Sequence, residues 1–126
     1  MLNQSTVVVT QGTTRKTILI DLNNTTSVSC IVSDDGVSAV EGKKMILAGT
    51  PLAGDLTKRD VPFTVATGED AVAVGVLLHD VEVTAGQANA QAVIFGFIDI
   101  TKLDESVVSM LTEEVKSSLN MIKFIG

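Results

Sequence analysis

The chain has 126 residues, 45% of them hydrophobic and 19% charged, with a net charge of −6. That length fits one domain with a core needing neither disulfide nor metal, and the composition excludes a disordered chain. The acidic balance opposes a nucleic-acid partner, and 3% aromatic content with no Trp or Tyr leaves no platform for stacking bases.

Residues 1–15 are expected to form a short N-terminal arm and residues 16–126 a single β-rich domain. The opening, MLNQSTVVVT, lacks the basic and long apolar regions of a secretory leader. Within it, Thr6, Val7, Val8, Val9 and Thr10 are strong β formers. The first twenty residues contain no Asp or Glu but carry Arg15 and Lys16, an asymmetry that could steer the arm toward an acidic surface. Two readings stand side by side. Either the arm completes a strand on the edge of another chain, or Val7 to Val9 pair within their own domain.

KTILIDL (16–22) alternates like a strand, with Ile18 and Ile20 on one face. SVSCIVS (27–33) does the same, with Val28, Cys30 and Val32 on one face. Asn23 to Thr26 and Asp34-Asp35-Gly36 supply the turns. Cys30 is the one cysteine, so an internal disulfide is excluded and a small buried core residue is expected.

LAGTPLAGDL (47–56) carries two glycines at the spacing of a phosphate-binding loop. Such a loop needs Lys and then Ser or Thr after its second glycine, and here Asp55-Leu56 follow. Asp55 would repel a polyphosphate, and Leu56 has no oxygen for magnesium. Pro51 removes one of the backbone donors the cradle would use. A surface turn after the apolar run Met45-Ile46-Leu47 is the expected structure.

AVAVGVLLHDVEV (71–83) is too long for one flat strand, and Gly75 is the expected bend. Its opening apolar run stops at His79, far short of the roughly 20 residues of a membrane span, so no membrane partner is expected. His79 is the single histidine, and in a strand it and Asp80 would face opposite sides. With no second His and no nearby Cys, it reads as a structural residue where an apolar strand emerges, not as a metal ligand or acid–base group. The serines lack a nucleophile-elbow context. The acidic pairs Asp34-Asp35, Glu69-Asp70, Asp104-Glu105 and Glu113-Glu114 do not have the spacing of a calcium loop. No enzyme activity, cofactor or metal is expected.

TAGQANAQ (84–91) is expected as a hairpin loop leading into AVIFGFIDI, where Gly96 suggests a close backbone approach. In LDESVVSMLTEEVKSSL, Val108, Leu111, Val115 and Leu119 form a helical stripe behind the N-cap Asp104. Glu105 at the start and Lys116 near the end suit the helix dipole. NMIKFIG is expected as a last strand. The fold class is mainly β (α+β) with one C-terminal helix.

AGTPLAGD, followed by AVGVLLHDVEVTAGQANAQAVIFGFID, resembles the head decoration proteins of tailed bacteriophages, the lambda-type capsid-stabilising family, in versions from phages and prophages of Gram-positive bacteria. The resemblance covers residues 44–103 and is looser beyond them. It implies a compact β-tulip-like domain that sits as a homotrimer at three-fold positions on the outer surface of an expanded capsid. There it would bind the major capsid protein and stabilise the shell against internal DNA pressure. It implies a virion protein made in the host cytoplasm, without enzyme activity, whose N-terminal arm (Thr6 to Thr10 here) reaches the capsid. Another phage subunit, from a tail tube or head–tail joint, is one alternative. An intracellular β-domain binding a small ligand or peptide near His79 is the other.

Overall fold

The computed structural model of the chain describes residues 17–67 and 71–126. Among the described residues there are eight strands, one 3-10 turn and two short helices. The strands are β1 (Thr26–Ser33), β2 (Met45–Ile46), β3 (Pro51–Ala53), β4 (Thr64–Val65), β5 (Gly75–Leu77), β6 (Val81–Glu82), β7 (Gln87–Asp99) and β8 (Ile122–Ile125). The helices are α1 (Glu105–Met110) and α2 (Glu113–Ser118). The fold is mainly β with its helical segment on the C-terminal side.

The main sheet has the order β1-β7-β5-β3-β4, with antiparallel neighbours throughout. Phe63, immediately before β4, brings the two ends of that order together. Its N–H donates to the Ile31 carbonyl at 2.7 Å, and its own carbonyl accepts from the Ser33 N–H at 2.8 Å. Inside the resulting ring lie Cys30, Val32, Leu52, Phe63, Leu77 and Ala92, joined by Ile46 and Val83 from the small β2–β6 pair. Period-two alternation in β1 sends Cys30 and Val32 inward, as the sequence predicts.

β7 is the longest element and serves two neighbourhoods. Its first half pairs with β1 and β5, while Gly96 to Asp99 pair in parallel with β8. On its other side, the second half meets residues 18–20. Leu19 forms a bridge to Ile98, flanked by the Asp99 N–H to the Ile18 carbonyl and the Ile20 N–H to the Phe97 carbonyl. A second core forms here, where Val107, Leu111, Val115 and Leu119 cover Val76, Val93, Ile98 and Ile122.

Several expectations need correction. Among the described residues of KTILIDL only that one bridge forms, because the Asp21 carboxylate accepts from the Asn23 N–H and the Asn24 side chain and turns the chain. The single helix is two helices of six residues each. The Thr112 hydroxyl accepts from the Val115 N–H and caps a new start, which Glu113 and Glu114 favour through the dipole. The break changes the phase, so the buried residue of the first turn is Val107, and Val108 is exposed. The proposed loop TAGQANAQ is strand from Gln87 onward, and only Thr84 to Gly86 turn.

Gly75 is not the bend in its segment. That break falls at Leu78 to Asp80, between β5 and β6. Gly75 is required instead for close approach, since a Cβ there would lie 2.8 Å from the Val93 carbonyl oxygen. The surface turn expected at LAGTPLAGDL is half right. Gly49 turns at φ 92°, but Thr50 is then buried and Pro51 and Leu52 enter the interior at the start of β3. Pro51 is tolerated because it is the first residue of its strand.

Candidate functional site

Thr6, Val7, Val8, Val9 and Thr10, the expected partner-binding residues, lie outside the described residues, as do Arg15, Lys16 and the Glu69-Asp70 pair. Among the described residues the geometry offers two clefts that meet at His79 and one uncharged apolar groove.

His79 stands half-buried in the break between β5 and β6 and lines both clefts. The first, about 610 Å³, lies between Leu47-Ala48 and the Thr101 to Glu105 segment. Two of its acidic groups are engaged in the fold. The Asp80 carboxylate accepts from the Ala48 N–H at 2.8 Å. The Asp104 carboxylate accepts from both the N–H and the hydroxyl of Ser106, and these bonds hold its pKa below the usual carboxylate range. Among the described residues no group of three His, Cys, Asp or Glu side chains could hold a metal ion.

The second cleft, about 720 Å³, lies on the outer face of β1 and β7 and includes Ser29, Arg59, Asn89 and Gln91. Arg59 is fixed at one end, with Nη1 donating to the Ser29 carbonyl at 2.9 Å. Cys30 also borders it, but is buried, and desolvation pushes its thiol pKa up despite the opposing charge of Arg59. A raised thiol pKa leaves little thiolate and hence a poor nucleophile. The sequence expectation that Cys30 is a core residue holds.

The apolar groove, about 490 Å³, is lined by Leu56, Val72, Ile94, Phe95 and Met121 and by small or uncharged neighbours. Val72 and Met121 are 65% and 59% exposed, and Phe95, one of four Phe residues, is 41% exposed. None of its lining residues is charged. An uncharged apolar surface of this kind marks an interaction surface more often than a random exposed Leu does. Sequence reading missed it because its residues come from five separated stretches, each of which looks like an ordinary strand, turn or helix end.

A local device was also missed. Asp55-Leu56-Thr57, Asp99-Ile100-Thr101 and Asp104-Glu105-Ser106 share one geometry: the carboxylate accepts from the N–H and the hydroxyl two residues on. In all three, those bonds lower the Asp pKa, the side-chain bond most. The signal Asp-x-Ser/Thr was readable in the sequence. Lys44 and Asp34, 2.7 Å apart, tie the end of β1 to the chain entering β2, and this contact lowers the Asp34 pKa.

Among the described residues no helix is long and apolar enough to cross a membrane. In comparison with known proteins, the chain matches no protein-family model and no curated protein.

Proposed function

We propose that the chain is a structural protein of a tailed-phage virion. It binds the major capsid protein on the outer surface of the expanded shell, as a homotrimer at three-fold positions, and stabilises the shell against internal DNA pressure. The role is structural, with no reaction and no cofactor. Residues Thr6 to Thr10 are its attachment arm.

The observation that carries this reading is the adjacency of the three stretches on which the resemblance rests. Pro51-Leu52-Ala53, Gly75-Val76-Leu77 and the AVIFGFID half of β7 are hydrogen-bonded neighbours in the order β3-β5-β7. The Gly-Thr before Pro51 extends the same ladder, with the Gly49 N–H donating to the Leu77 carbonyl and the Leu77 N–H to the Thr50 carbonyl. A shared fold requires such proximity of its diagnostic segments. The uncharged groove beside Phe95 also supports a role in assembly.

Co-sedimentation with capsids tests the reading. The full chain should bind expanded capsids and not unexpanded ones, and deletion of residues 2–10 should abolish binding while leaving the domain folded. Equal binding to both capsid forms, or to neither, overturns it.

A second reading, a domain that binds a small ligand or peptide, is favoured by the position of His79 at the junction of two clefts. A specific rise in melting temperature with one small molecule, lost in His79→Ala, would establish it in place of the first.

A further inference from the structure

β8 is a four-residue strand paired with β7 along one edge, and no described strand pairs with its other edge. Such an edge exposes unpaired N–H and C=O groups, and folded chains normally cover it or place charge along it. Here Lys123 is the one charged residue in the strand, and the flanking Met121 and terminal Ile125 are 59% and 45% exposed. The apolar groove begins at the same place, since Met121 and Phe95 both line it. Among the described residues, then, an open strand edge runs into an uncharged apolar surface.

The geometry points to the chain's own residues 5–10 as the cover of that edge, added to β8 as a parallel strand with valine side chains over Met121 and Phe95. This inference concerns the free protein and stands apart from any capsid role. Three observations select that occupant over another chain. The first is chemistry: Ser5 to Thr10 contain three consecutive valines and no charge, matching the uncharged groove.

The second is reach. Residues 18–20 run antiparallel to the end of β7, so Thr17 stands level with Ile100, on the side of β7 opposite β8. Crossing to the far edge of β8 spans two to three strand spacings, roughly 10–15 Å. Residues 11–16 can extend about 20 Å, and Gly12 permits the reversal. The third is charge. Arg15 and Lys16 directly precede Thr17 in the chain, and near Thr17 the end of β7 carries Asp99, with Asp104 and Glu105 close after it in sequence. A segment tethered this closely competes at a high effective concentration against the same segment on a separate molecule.

Hydrogen exchange on the full chain and on a 2–10 deletion decides the matter. In the full chain, the β8 amides that point away from β7 should be protected, and deletion should make them exchange at least tenfold faster. The amides of β5 serve as the folding control and should be unchanged. A spin label on Val8→Cys, in a Cys30→Ala background, should broaden the resonances of residues 121–125 at every protein concentration. β8 exchange that is the same with and without the arm overturns the proposal. Protection or broadening that disappears on dilution overturns it too, by assigning the edge to a second copy. Loss of β5 protection in the deletion passes the decision to the spin label, whose failure to broaden residues 121–125 is equally fatal.

Discussion

The two ends of the domain are built by different means. Around Phe63, backbone pairing brings β1 and β4 together, and the core residues arrive from strands distant in sequence. Around Ile98, two six-residue helices and their C-caps supply Val107, Leu111, Val115 and Leu119 as a lid on β7. Helices this short have no stability of their own in water, so they exist only while that lid is packed. The ring should therefore behave as the last structure to open, and the helical side as a unit that can open alone.

The largest effect expected is at the ring. Phe63→Ala removes its largest fully buried side chain and should cost about 3–5 kcal/mol. Because Phe63 sits where the sheet closes, protection should fall in β1, β3, β5 and β7 together in a hydrogen-exchange experiment. Leu119→Ala should cost about 2–5 kcal/mol, but early exchange should be confined to α1, α2 and β8. If both variants open the same amides, the two ends are not separable units.

The next effect distinguishes neighbouring valines. Val107 is buried against β7 and Val108 is 40% exposed. Val107→Asp places an unpaired charge in the second core and should abolish the helical signal in circular dichroism, whereas Val108→Asp should lie within about 0.5 kcal/mol of the parent. The reverse result would restore a continuous helix with the stripe read directly from the sequence. Thr112→Ala removes the cap of α2 and should cost about 1 kcal/mol, measured by thermal melting.

The smallest effects are electrostatic. Hydrogen bonds hold the pKa values of Asp21, Asp55, Asp99 and Asp104 below their ordinary value. A carboxylate whose pKa is lowered on folding contributes stability that is complete above the unfolded pKa of about 3.9 and is lost as pH falls through the folded value. The melting temperature should thus be insensitive to these groups from neutral pH to about 5 and decline below about 4. Asp104→Asn should make that decline shallower. An unchanged slope would remove Asp104 from the account.

What was legible in the sequence follows the same division. The β character, the inward Cys30 and Val32, and the last strand could all be read, because period-two alternation is local. Asp104 could be read as a cap from its residue type and position. The split at Leu111-Thr112 was not read, because Met110 to Glu114 continue a helical pattern; its signal was Thr112 followed by Glu113 and Glu114, the residue types of a new cap and first turn. The burial of Thr50 to Leu52 was hidden by the turn residues around them. Their environment is set by β4 and β5, strands drawn from later in the chain. The candidate surface was the least legible part, since Leu56, Val72, Phe95 and Met121 become neighbours only after the fold forms.

The proposal that this β domain is a capsid-binding structural protein is put to its sharpest test by electron cryomicroscopy of expanded capsids incubated with the purified chain. The account predicts added density on the outer surface at three-fold positions. Each protomer should fit the ring of β1, β7, β5, β3 and β4, and residues 6–10 should form a strand on the capsid subunit. Capsids that remain bare at saturating protein, or density confined to the tail or portal vertex, would contradict it.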